Sequence, residues 1–215
     1  MFRTARSFRA AIACIAVLGA ATPCRAELWS AATVPNAAYA NAIRSVNPHV
    51  HEAQSRAYAE ALLSSAHRMN VDPRLVMAVV TVESHWNAGA VSSSGARGLG
   101  QFLPGTAHDL GVDTRSARST LRGVTTYLHQ LLSLFKASRY AMRDAIAGYN
   151  AGPFAVRQHG IPRSGQTPRY VVKVMAAFRS LQDRLTPQPS VREVVAVLDA
   201  AQIFESQDDQ YWGAR

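Results

Sequence analysis

The chain has 215 residues, 48% of them hydrophobic, and a formal net charge of +9. That length can bury one sizeable core and is short for two large domains. The positive balance suits an anionic partner, but no Lys/Arg cluster interleaved with aromatics argues for nucleic acid.

Residues 1–26 read as a secretory signal. Arg3, Arg6 and Arg9 make a basic start, and the apolar run from Ala10 is too brief for a membrane span. Cys24-Arg25-Ala26 offers a cleavage site before Glu27, so the chain is expected to be exported to the periplasm or cell envelope. A lipid-anchored Cys24 is the alternative, with Pro23 a poor context for it. Both cysteines, Cys14 and Cys24, lie in this segment; cleavage leaves a mature chain with no disulfide and a charge of +5.

Residues 27–47 are Ala/Asn-rich and read as a weakly specified extension. His49 and His51 lack further ligand spacing, so no metal or other cofactor is expected. A helix is predicted over 48–68, with Ala57, Ala61, Leu62 and Ala66 on one side. Asp72 is a good N-cap and Pro73 suits the first helical position. Leu75, Val76, Val79 and Val82 then repeat at three and four, which buries one face and carries Glu83 to the helix C-terminus. There the macrodipole and apolar neighbours both disfavour a negative charge, as a general acid requires. A solvated glutamate at a helix end is the ordinary alternative for such a position.

A Gly/Ser/Ala-rich loop follows and closes on Gln101. Short helices are expected over 104–110 and 153–159, and longer ones over 120–135 (capped by Ser119), 140–149 and 167–185. Tyr170, Val171, Val174, Phe178 and Leu181 form the buried stripe of the 167–185 helix. Thr186 to Ser190 reads as a linker, and Ser190 with Glu193 as a capping box for a last helix over 191–204. With no strong strand pair, the chain reads as mostly α, one helical domain over 48–185 followed by a tail over 186–215.

Four ordered blocks carry a family pattern: Glu83-Ser84, Gly95-Ala96-Arg97-Gly98-Leu99-Gly100-Gln101, Pro104-Gly105-Thr106-Ala107, and Gly148-Tyr149-Asn150-Ala151-Gly152-Pro153. Their order and spacing resemble the SLT (family 1) lysozyme-like domain of soluble lytic transglycosylases over roughly residues 52–182. The resemblance implies a lysozyme-like fold with a substrate cleft and peptidoglycan glycan strands as partner. It implies Glu83 as the catalytic acid/base. It places Ser92 beside the sugar, Gln101 on the acetamido sugar or orienting the loop, Leu103 in the groove, and Tyr149 and Asn150 across the cleft. Ser84 reads as structural. Two departures stand out. Gly100 occupies the position where the family usually has Met, which is expected to remove apolar groove surface. Thr120 to Gly123 lacks the Asn that the family often carries before the long helix.

A glycosidase commonly uses two carboxylates. The family resemblance implies one: Glu83 protonates the leaving oxygen, then takes the proton of the sugar's own 6-hydroxyl as that group attacks, giving a 1,6-anhydromuramoyl end. Two further readings stand beside it. One is a hydrolytic muramidase with Asp109, Asp113 or Asp144 positioning a water; the other is an inactive wall-binding adaptor. Small stand-alone domains of this kind often serve a secretion or conjugation apparatus, for which residues 186–215 would suit a docking arm.

Overall fold

The computed structural model describes residues 34–186. The signal segment expected over 1–26 and the tail helix expected over 191–204 lie outside them. Among the described residues eight α-helices follow one another: α1 Asn36–Val46, α2 Glu52–Met69, α3 Pro73–Ser84, α4 Pro104–Asp109, α5 Ala117–Leu134, α6 Ala141–Ala151, α7 Pro153–His159 and α8 Gln166–Arg184. Among the described residues, extended pairing is limited to two isolated antiparallel bridges, Val91 with Arg97 and Arg97 with Phe102. No helix of the described residues is long and apolar enough to cross a membrane.

The central element is α3. Asp72 caps it by accepting from the Arg74 N–H at 2.8 Å, and Pro73 occupies its first turn. Six consecutive residues, Leu75 to Val80, are buried, so α3 is covered on nearly all sides rather than on one stripe. It packs against α2, α5 and α8. The last turn of α3 leads into His85 and Trp86, both at positive φ (50° and 62°). Left-handed backbone at a non-Gly residue costs about 1–2 kcal/mol each. Trp86 offsets it: its side chain is fully buried, stacks on Tyr58 at 6.0 Å and donates Nε1–H to Thr81 Oγ1 at 3.1 Å.

Three expectations need correction. Residues 36–46 are not an unspecified extension, and the folded unit begins before residue 48. Tyr39, Ala40, Ala42 and Ile43 of α1 are buried in the core, α1 packs on α2, and Ser45 Oγ accepts from Arg184 of α8 at 3.1 Å. Only two of those buried side chains are large, which is why the pattern looked weak. The second helix starts at Glu52, not 48, with a turn over Asn47–Val50 before it. The long fifth helix starts at Ala117. Its cap is Ser116, whose hydroxyl accepts from Ser119 N, while the Ser119 hydroxyl takes the N–H of Asp113.

Candidate active site

Glu83 lies on the last turn of α3, half-buried. Its Oε1 accepts a 2.6 Å hydrogen bond from the Tyr170 hydroxyl of α8. Burial pushes the Glu83 pKa from 4.5 up to about 7, against the opposing pull of the Tyr170 bond, which favours the charged carboxylate. Glu83 is thus poised between proton donor and proton acceptor near neutral pH. The Tyr170 hydroxyl is held well above its ordinary value by burial first and then by the Glu83 charge, so it stays a neutral donor.

The loop after α3 is fixed from three directions. Ser84 Oγ, buried, lies 2.9 Å from the Leu99 carbonyl and 3.3 Å from the Val80 carbonyl, tying the helix end to the loop. Ser84 is structural, as expected. Gln101, at φ 48°, donates its side-chain amide to the Ala90 carbonyl at 3.1 Å and the Gly98 carbonyl at 3.0 Å. Of the two roles expected for Gln101, orienting the loop is the one these bonds perform. Tyr149 of α6 donates to the Gly100 carbonyl at 2.8 Å.

Among the described residues, no hydrogen bond joins Ser92 to Glu83. The Ser92 hydroxyl accepts from Ala96 N at 3.0 Å and meets Ser94 Oγ at 3.1 Å, closing the 92–96 turn. Leu103 stands just before α4, 47% exposed, and Val91 at the other end of the loop is 61% exposed, so the loop displays apolar surface at both ends. Asn150 Oδ1 accepts from Thr167 Oγ1 at 3.1 Å, linking the end of α6 to the start of α8, the helix that supplies Tyr170. The Tyr149 ring packs within the protein, 6.0 Å from Phe102 and 5.2 Å from Tyr127. Its pKa is held high by burial and then by the Glu83 charge, which places it within electrostatic reach of Glu83.

Gly100 also departs from expectation. Its missing side chain leaves no open groove. A Cβ there would lie 2.5 Å from Val124 Cγ2, 2.9 Å from Phe102 Cε2 and 3.1 Å from Tyr149 Oη. The space beside the Gly100 α-carbon is already occupied by Val124, Phe102 and Tyr149. Gly123 on α5 plays the matching part, letting Val112 and Phe102 approach the helix backbone.

Each of the three aspartates considered as water-positioning groups has a partner close in sequence. Asp109 pairs with His108 at 3.4 Å, Asp113 with Arg115 at 3.5 Å, and Asp144 accepts from Ser138 at 2.5 Å. Among the described residues no group of three or more His, Cys, Asp or Glu is placed to hold a metal ion. The sequence reading missed Tyr170, which it assigned to the core stripe of α8, and Trp86. A signal for Tyr170 exists: it is the one residue with a hydroxyl among Val171, Val174, Phe178 and Leu181, and a buried phenol needs a polar partner.

The transglycosylase SLT domain matches residues 60–170. Membrane-bound lytic murein transglycosylase F of Shewanella baltica is 34% identical over 94 residues, which is 42% of this chain and 20% of that protein. The protein of the same name from Alteromonas mediterranea is 39% identical over 88 residues (39% and 19%), and that from Yersinia enterocolitica 36% over 96 residues (42% and 19%). The chain therefore spans about a fifth of the length of these relatives. An X-ray structure of an inactive Glu-to-Gln mutant of the lytic transglycosylase Slt from Pseudomonas aeruginosa superposes with a TM-score of 0.50 at 26% identity, covering 70% of this chain and 29% of that one. The helical fold agrees with the lysozyme-like architecture expected from the sequence, and the domain match extends over half of the residues: the chain belongs to the transglycosylase SLT domain family.

Proposed function

We propose that this chain cleaves the β-1,4 bond between N-acetylmuramic acid and N-acetylglucosamine in peptidoglycan, by lytic transglycosylation rather than hydrolysis. The observation that carries the reading is Glu83 itself: a carboxyl at the end of a buried helix, with a pKa near 7, oriented by Tyr170 at 2.6 Å and hydrogen-bonded to no other side chain among the described residues. The relatives bear the name lytic murein transglycosylase, and the structural neighbour is inactivated in a Glu-to-Gln mutant.

Protonated Glu83 gives its proton to the glycosidic oxygen as the bond to the muramic acid C1 breaks. The N-acetyl group of that sugar supports the developing cation. The resulting carboxylate, stabilised by the Tyr170 hydroxyl, takes the proton of the sugar's 6-hydroxyl while that oxygen bonds to C1. Glu83 ends protonated, one chain ends in a 4-hydroxyl and the other in a 1,6-anhydro ring, and no water is consumed. Gln101, Ser84 and Tyr149 hold the loop that flanks the carboxyl, Ser92 shapes its turn, and Leu103 and Val91 supply apolar surface for sugar faces. Asn150 fixes α8 and hence Tyr170. The substrate places the enzyme in the cell envelope, where local opening of the wall for a secretion or conjugation apparatus is the process such a domain would serve.

Mass spectrometry of products released from purified sacculi tests the reading. Anhydro ends lie one water below reducing ends. Products with reducing ends only would make the enzyme a hydrolase, and no released product would leave a wall-binding adaptor.

A further inference from the structure

A cavity of about 350 Å³ opens between the C-terminal half of α2 and the first turns of α5. Three guanidinium groups line it: Arg68 from the last turn of α2, and Arg118 and Arg122 from one face of α5. No carboxylate lines it, and none of the three forms an ion pair among the described residues. Like charges four apart on a helix destabilise it by a few tenths of a kcal/mol, so this arrangement is unfavourable without a counter-charge.

The three arginines are exposed, and the groups around them add fixed donors. Arg68 is held by Ser64 at 2.5 Å and Ser65 at 3.4 Å, which leaves its fork oriented before any ligand arrives. Ser65 is 2% exposed; its hydroxyl accepts from Arg68 and, among the described residues, is given no acceptor of its own. Ser116 caps α5 at the same cavity, and the N–H groups of Ala117 and Arg118 in that first turn find no acceptor among the described residues. Donors therefore approach from α2, from the α5 side chains and from the α5 backbone. A planar carboxylate with one charge is satisfied by a single guanidinium fork. A phosphate group carries about −1.5 to −2 charge and presents tetrahedral oxygens that need donors from several directions.

We propose that this cavity is a phosphate-binding site, separate from the Glu83 site and independent of the reading given to that site. The phosphate group comes either from a lipid headgroup or from free phosphate.

The test titrates the full chain with inorganic phosphate, observed by amide and arginine Nε–H NMR signals. Saturable shifts are expected at Ala117, Arg118, Arg68 and Arg122, with acetate at equal ionic strength binding about tenfold or more weakly, the worth of one charge-assisted hydrogen bond. The double variant Arg118→Ala/Arg122→Ala should lose phosphate affinity by at least about tenfold on the same grounds. It should retain its circular dichroism and its turnover of soluble wall fragments. Sedimentation with phosphatidylglycerol against phosphatidylcholine vesicles then separates the sources. Binding to the former, lost in the double variant, identifies a headgroup; phosphate binding with no vesicle binding identifies the free ion. Absence of saturation, equal response to acetate, or full affinity in the double variant overturns the proposal.

Discussion

Replacing Tyr170 by Phe tests the proposed proton donor through its pH profile. The substitution keeps the ring that packs in the core and removes only the hydroxyl that donates to Glu83 at 2.6 Å. That bond favours the ionised carboxyl, so its loss must raise the Glu83 pKa further above its present value of about 7. A hydrogen bond to a charged group contributes about 1.5–3 kcal/mol, and about 1.36 kcal/mol corresponds to one pH unit. The first step needs Glu83 protonated, so kcat/KM should be full below the pKa and fall above it. In the wild type this alkaline limb is expected near pH 7. In Tyr170→Phe it should move up by about one to two pH units, while the plateau drops because the carboxylate formed in the first step has lost its donor. The assay is release of soluble muropeptides as a function of pH, with thermal melts at pH 5 to confirm folding. A limb that stays in place, or moves to lower pH, refutes the claim that this hydrogen bond sets the acid.

Other outcomes follow from the same geometry. Glu83→Gln should retain wall binding and lose about 10²–10⁴-fold or more of its turnover, checked by pelleting with sacculi and by product release; more than about a tenth of wild-type activity remaining would be too much for a missing proton donor. The same variant should change stability with pH. The folded-state pKa of about 7 lies above the reference 4.5, so the wild type has its full stability below 4.5 and loses it as pH rises through 7. Glu83→Gln should therefore melt higher than wild type at pH 8, by at most on the order of 3 kcal/mol and less where solvent screens the charge, and similarly at pH 4.5. Gly100→Ala should destabilise the fold by about 1–3 kcal/mol in denaturant melts, because its Cβ meets Val124 at 2.5 Å, and Val124→Ala should recover part of the loss. Tyr149→Phe should cost about 1–3 kcal/mol of stability by leaving the Gly100 carbonyl without its 2.8 Å partner.

What could be read in the sequence was whatever local chemistry decides. Asp72 and Pro73 announce the start of α3, and its apolar residues recur at the period that delivers Glu83 to the helix end. The fifth helix shows where local chemistry is degenerate: Ser116 and Ser119 are equally good caps in isolation, and the contest is settled by Asp113, whose N–H claims the Ser119 hydroxyl. Helix α1 was illegible for a different reason. Its core contribution rests on Tyr39 and Ile43 amid Ala and Asn, so its stability comes from packing on α2 rather than from its own periodicity.

The site was half legible because its residues could be listed but their partners could not. Glu83 meets Tyr170 across 87 residues, Tyr149 meets the Gly100 carbonyl across 49, and Ser84 reaches the Leu99 carbonyl across 15. None of these pairings has a local sequence signature. The first joins the end of α3 to α8, the second joins the loop to α6, and the third folds the loop back on the end of α3, so the carboxyl, its donor and its loop come together only once α6 and α8 have docked. The same logic explains Gly100. Read along the chain, a glycine where the family resemblance leads one to expect methionine is a deletion of binding surface. In the fold, that volume belongs to Val124, Phe102 and Tyr149, and the glycine lets the loop backbone sit close enough to Tyr149 for its hydroxyl to be spent on the loop. Gly100 thus leaves room for Val124, Phe102 and the Tyr149 hydroxyl to close on the loop beside Glu83.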